Sequence, residues 1–86
     1  MTYIERIEKK LKRNFSPDTL EVIDESDLHA GHSGSRPGGE THFRVKMTSR
    51  SFTGLSRVER QRAVHKVLET ELRERVHALS LNLSET

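Results

Sequence analysis

The stretch His42-Phe43-Arg44-Val45-Lys46-Met47-Thr48 decides the fold. Phe43, Val45 and Met47 alternate with His42, Arg44, Lys46 and Thr48, the period-two pattern of a strand that buries one face. The apolar face must meet a core, and the basic, hydroxylic face meets water or a partner. On the N-terminal side, Thr19-Leu20-Glu21-Val22-Ile23-Asp24 reads as a second strand, with Leu20 and Val22 on one face and Glu21 and Ile23 on the other. Near the C-terminus Leu79, Leu81 and Leu83 alternate with Ala78, Ser80 and Asn82, which gives a third.

Helical periodicity brackets these strands. Ile4, Ile7 and Leu11 recur at helical spacing behind Thr2 and Glu5, a pair spaced as a capping box. Lys9, Lys10, Lys12 and Arg13 crowd the last turns, where the helix dipole favours cations. Ser16-Pro17 should end this helix, because proline restricts its predecessor and lacks a donor. Phe52-Thr53-Gly54 reads as a turn, and Ser56 with Glu59 forms a second capping box. Val64, Val67, Leu68 and Leu72 then make an apolar stripe whose pattern loosens near Thr70, so one helix or two can be drawn there. The order is α-β-β-α(-α)-β. Helices covering one face of the sheet would give a two-layer α+β architecture, expected as a single domain over residues 1–86.

Composition narrows the function classes. Fifteen basic and thirteen acidic residues give a net charge of +2, too small to argue for bulk electrostatic binding to nucleic acid or membrane. The chain has no cysteine, hence no disulfide and no thiolate metal ligand of its own. No apolar leader or membrane-spanning run is present, so a cytoplasmic location is the expectation. There is no phosphate-cradling Gly-x-x-x-x-Gly-Lys, no Gly-x-Ser-x-Gly and no marked carboxylate, and a role other than catalysis is expected.

Between the first two strands lies a flexible Gly/His-rich loop, at about residues 26–40. Its segment from His29 to Gly39 holds four of the five glycines and two of the five histidines. His29 and His32 could reach a common metal, since glycine lets the backbone fold around an ion. Two solvated imidazoles are the plainer reading of that pair. His77, where a helix hands over to the last strand, reads either as a partly buried histidine bonded to backbone or as a ligand on rigid structure, with a loop histidine closing on it. Two imidazoles leave a tetrahedral metal incomplete, so a partner must supply the rest. A stand-alone zinc site from His29, His32 and His77 is a weaker reading, because ligands in a loop lack a supporting shell. Arg57, Arg60, Arg62 and Lys66, with Arg44 and Lys46 on the strand, form a basic set that could meet phosphates. Glu59 and Glu69 interrupt it, and a solvated helix face is the plainer reading. His42 and His65 read as surface residues.

Taken in order, Asp24-Glu25-Ser26, Gly39-Glu40-Thr41-His42-Phe43-Arg44-Val45, Phe52-Thr53-Gly54 and Val76-His77-Ala78-Leu79-Ser80 resemble the BolA family. So does the first helix, Ile4-Glu5-Arg6-Ile7-Glu8-Lys9-Lys10-Leu11. The resemblance implies an α-β-β-α-α-β domain with a class II KH-like fold and a three-stranded mixed sheet. It implies a non-catalytic adaptor that binds a monothiol glutaredoxin and co-ligates or relays a [2Fe-2S] cluster shared with glutathione. On that reading His77 is the ligand at the last strand and His29 or His32 the ligand from the loop; counting forward from Asp24-Glu25-Ser26 favours His29. Many relatives carry a histidine between two arginines in the second helix, where this chain has Arg60-Gln61-Arg62. Gly31-His32-Ser33-Gly34 has the letters of a KH nucleic-acid loop but joins two strands rather than two helices. A DNA-binding transcriptional regulator using the helical region is the alternative role that the resemblance implies.

Overall fold

The structure, a computed structural model, describes residues 2–26 and 41–86. Helix α1 (Tyr3–Phe15) opens with the expected capping box. The Thr2 hydroxyl accepts from the Glu5 amide at 3.1 Å, and the Glu5 carboxylate accepts from the Thr2 amide at 3.4 Å. Ile7, Leu11 and Phe15 are its buried stripe. The helix ends at Ser16, whose left-handed φ of 43° turns the chain toward Pro17 while its amide bonds back to the Lys12 carbonyl.

Strands β1 (Thr19–Asp24), β2 (His42–Thr48) and β3 (Ala78–Ser84) form one sheet in the order β1-β2-β3. β1 lies antiparallel to β2, and β3 lies parallel to it, so the sheet is mixed. A parallel neighbour requires a long crossover. Here α2 (Arg57–Val67) and α3 (Glu69–Glu74) supply it. The loosened periodicity thus marks two helices, divided at Leu68.

The core is Ile7, Leu11 and Phe15 from α1, Phe43, Val45 and Met47 from β2, and Val64, Leu68 and Val76 from the crossover. Phe52 completes it from a 3-10 turn (Arg50–Phe52), its ring 5.2 Å from that of Phe15. The outward face of β2 carries Arg44 and Lys46, which reach Glu25 at 3.0 Å and Glu21 at 3.9 Å. Gly54, at φ 81°, closes the turn into α2, and Ser56 and Glu59 form the second capping box there. Hydrogen bonds donated by the Ser56 amide and hydroxyl hold the Glu59 carboxyl below the usual carboxylate range.

Glu71, on α3, is fully buried. Its two carboxylate oxygens accept from Arg6 Nη2 at 2.9 Å and Lys10 Nζ at 2.8 Å, tying α3 to α1. Arg6 also reaches Glu74 at 2.8 Å. That bond, with a second from the Tyr3 hydroxyl, lowers the Glu74 carboxyl below its ordinary value, and the carboxylates of Glu74 and Glu71 raise Arg6 above its own. Among the described residues no helix is long and apolar enough to cross a membrane.

Candidate functional site

Helix α3 delivers the chain to β3 through a tight turn. The Glu71 carbonyl accepts from the amides of Arg75 at 3.0 Å and Val76 at 2.9 Å. Val76 sinks into the core, and His77 follows with its side chain exposed. The His77 amide donates to the Thr41 carbonyl at 2.7 Å, and the Ala78 amide donates to the same oxygen at 3.2 Å. Backbone bonds on both sides therefore fix where the His77 imidazole projects. The His77 side chain is exposed, which departs from the reading of it as partly buried.

A second imidazole stands beside it. The parallel register sets His42 opposite Ala78, and the His42 and His77 rings lie 6.4 Å apart between centroids, inclined by 31°. His42 is half-buried rather than a plain surface residue, and its Nδ1 shares a hydrogen bond of 2.8 Å with Thr41 Oγ1. Nothing local in the sequence signals this pairing, because it depends on the register between strands far apart in the chain.

The two ends of the Gly/His-rich segment are fastened at the same place. Ser26 is buried, and its amide closes a turn on Asp24 Oδ1 at 2.9 Å. Its hydroxyl oxygen accepts from the amides of Thr41 at 2.9 Å and His42 at 3.2 Å. The Glu25 amide donates to the His42 carbonyl at 2.7 Å. Ser26 and Thr41 thus meet at the end of the sheet where His77 projects. His29 and His32 lie outside the described residues.

Among the described residues no group of three or more His, Cys, Asp or Glu side chains could hold a metal ion. A [2Fe-2S] cluster takes four protein ligands, thiolates or, on one iron, imidazoles. The donor set here fits a shared cluster: it offers exposed imidazole and no thiolate, and a second molecule would have to contribute the sulfur ligands.

The basic set divides. Arg44, Arg57 and Arg60 line one concavity of about 390 Å³, together with Gln61, Leu81, Asn82 and Leu83. Lys46 lies apart, beside Thr19, Leu20 and Glu21. Arg62 faces a different hollow with Val58, Gln61 and His65, and Lys66 is exposed in the last turn of α2. Three of the six cations converge, and the set does not form one surface.

Comparison with known proteins follows the same lines. The family model described as BolA-like protein matches residues 11–86. An uncharacterized protein in the cobS 5' region of Sinorhizobium sp is 48% identical over 82 residues, covering 94% of this chain and 88% of the relative. The DNA-binding transcriptional regulator BolA of Vibrio cholerae is 45% identical over 76 residues, 88% of this chain and 68% of that one. Among solved structures, the BolA domain of SufE1 from Arabidopsis thaliana matches with a TM-score of 0.84 and 41% identity, covering 93% of this chain and 87% of that one. In the full SufE-like protein 1 of the same plant the match spans 22% of the length. Fold and sequence agree, and the chain belongs to the family of BolA-like proteins.

Proposed function

We propose that this protein is a non-catalytic adaptor that docks on a monothiol glutaredoxin and contributes imidazole to a shared [2Fe-2S] cluster. The observation that carries the reading is the exposed His77 imidazole, fixed by the two amide bonds to the Thr41 carbonyl. An imidazole ligand needs a rigid base and open access, and His77 has both. His42, with its ring 6.4 Å away, lines the same end of the sheet. Ser26 and Thr41, which flank the segment bearing His29 and His32 in the sequence, meet at this end of the sheet, and one of those two histidines is the second ligand proposed. The cluster would supply the redox and transfer chemistry when bound; this chain would supply the nitrogen ligands, with His77 held on rigid backbone.

The test is to mix the purified protein with cluster-loaded glutaredoxin and follow visible absorption and circular dichroism. A shifted spectrum that His77→Ala abolishes supports the reading. An unchanged response in His77→Ala refutes the assignment. His29→Ala and His32→Ala, measured separately, decide which loop histidine takes part.

A second reading, a DNA-binding transcriptional regulator, is favoured by the name of the Vibrio cholerae relative and by the convergence of Arg44, Arg57 and Arg60. Specific duplex binding that weakens steeply with salt would support it.

A further inference from the structure

The concavity beside β3 has a composition that the cluster reading does not use. Its charged lining is three guanidinium groups, Arg44, Arg57 and Arg60, with no carboxylate among the lining residues. Arg44 has an acidic partner in Glu25, 3.0 Å away. Arg60 has no acidic partner among the described residues; it donates from Nε to the Leu55 carbonyl at 3.1 Å and from Nη1 to the Leu83 carbonyl at 3.5 Å, and its guanidinium lies over the Phe52 ring at 6.0 Å. That leaves its remaining N–H groups directed by a fixed frame. Arg57 makes no ion pair or hydrogen bond among the described residues and stands at the first position of α2. A cation there opposes the helix dipole, so local stability does not explain it.

The floor of the groove is a strand edge. β3 is the last strand of the sheet, with a neighbour on one side only. The Ser84 carbonyl accepts from the Ser49 amide, whereas the Leu83 carbonyl accepts from Arg60 on the other side. Backbone groups alternate along a strand, so the N–H and C=O groups of Leu81 and Leu83 face the open edge. The groove therefore combines guanidinium donors, backbone donors and acceptors, the amides of Gln61 and Asn82, and the apolar flanks of Leu81 and Leu83. A volume of about 390 Å³ lies in the range of small-ligand sites.

We infer that the groove between α2 and the open edge of β3 binds a phosphate-bearing ligand of nucleotide size, with Arg57 and Arg60 on the phosphate and Gln61, Asn82 and the strand edge beside the base. Guanidinium groups match phosphate geometry in paired hydrogen bonds. The amides and edge groups offer both donors and acceptors to a heterocycle. The site needs neither a cluster nor a duplex.

The test uses the full chain, titrated with pyrophosphate, adenosine monophosphate, a short single-stranded oligonucleotide and a duplex, followed by amide NMR shifts and calorimetry. The expected result is saturable binding of a phosphate ligand, with shifts concentrated at Arg57, Arg60, Asn82 and Leu83. Arg57→Glu should weaken binding about tenfold or more, through loss of a charged contact and added repulsion. Arg62→Glu, the same charge change in the other hollow, should stay within about twofold, as screened distant charges do. Glutamate suits the first turn of a helix, so Arg57→Glu should fold as wild type does. Binding of pyrophosphate or mononucleotide identifies a small ligand, and binding of the single strand alone identifies a phosphodiester; either, with that variant order, supports the site. Small-ligand binding without duplex binding sustains the groove and refutes the regulator reading. No binding by any probe, or equal losses in Arg57→Glu and Arg62→Glu, overturns the proposal.

Discussion

Glu71 provides an asymmetry that substitution can expose. Its side chain has 0% exposure, while those of its partners Arg6 and Lys10 keep 28% and 37%. Removing the anion and removing the cations are therefore different perturbations. In Glu71→Gln the shape is retained, one amide oxygen still accepts, Arg6 keeps Glu74 at 2.8 Å, and water reaches both cations. The expected loss is about 1–2 kcal/mol, the scale of charged hydrogen bonds partly replaced by solvent. In Arg6→Met combined with Lys10→Met, the carboxylate stays buried with neither cation, and the expected loss is about 3–5 kcal/mol. Changing all three to methionine should recover most of that difference, because no charge is then stranded. Urea unfolding with a shared m value reads these quantities directly. At about 4–8 °C per kcal/mol for a domain of this size, thermal melts should separate the first two variants clearly. A Glu71→Gln variant as unstable as the double cation variant would refute the reasoning. The consequence reaches the site, since the Glu71 carbonyl holds the Arg75 and Val76 amides in the turn that presents His77.

Ser26→Ala removes the shared acceptor of the Thr41 and His42 amides, and Thr41 is fully buried. We expect a loss of about 1–3 kcal/mol in urea unfolding. A weaker spectral response to cluster-loaded glutaredoxin should accompany it, and an unchanged response would argue against a role for the pinned segment. The acid limb of stability should carry the signature of Glu59 and Glu74. Hydrogen bonds from Ser56 and from Arg6 and Tyr3 lower their carboxyls in the folded state, so the unfolded chain binds protons more readily. Their stabilisation is present above the ordinary carboxylate range and is lost as pH falls through the lowered folded values. Glu74→Gln should flatten the fall in urea midpoint between about pH 5 and about pH 3, and a steeper fall would contradict the sign.

Much of the fold was legible because it is written in local periodicity. The alternation through Phe43, Val45 and Met47 identified the central strand, and the two Thr/Ser–Glu boxes marked where α1 and α2 begin. The loosening near Thr70 is the helix break itself, at Leu68. Glu71 was not legible, because a charged residue on a short helix reads as solvated unless its partners, more than sixty positions away, are known. Parity alone gave His77 the same face as the leucines, yet it precedes β3, and its amide bond to Thr41 sets it outward. The pairing of His42 with His77 and the convergence of Arg44 with Arg57 and Arg60 are products of strand register and crossover packing. Residue spacing carries neither. His77 stood out by its place where a helix hands over to a strand, the resemblance attached a ligand's role to it, and the structure shows its side chain exposed.

The most direct measurement of the central claim is pulsed electron paramagnetic resonance on the reduced heterocomplex with glutaredoxin. With this chain labelled in its histidine nitrogens with 15N and the partner unlabelled, a nitrogen coupled to the cluster must change its hyperfine signature. Strong coupling is expected from histidine nitrogens of this chain, and the component owed to His77 disappears in His77→Ala while the two proteins still associate. A cluster spectrum with no histidine nitrogen from this chain, or a histidine signature left unchanged by His77→Ala, would contradict it.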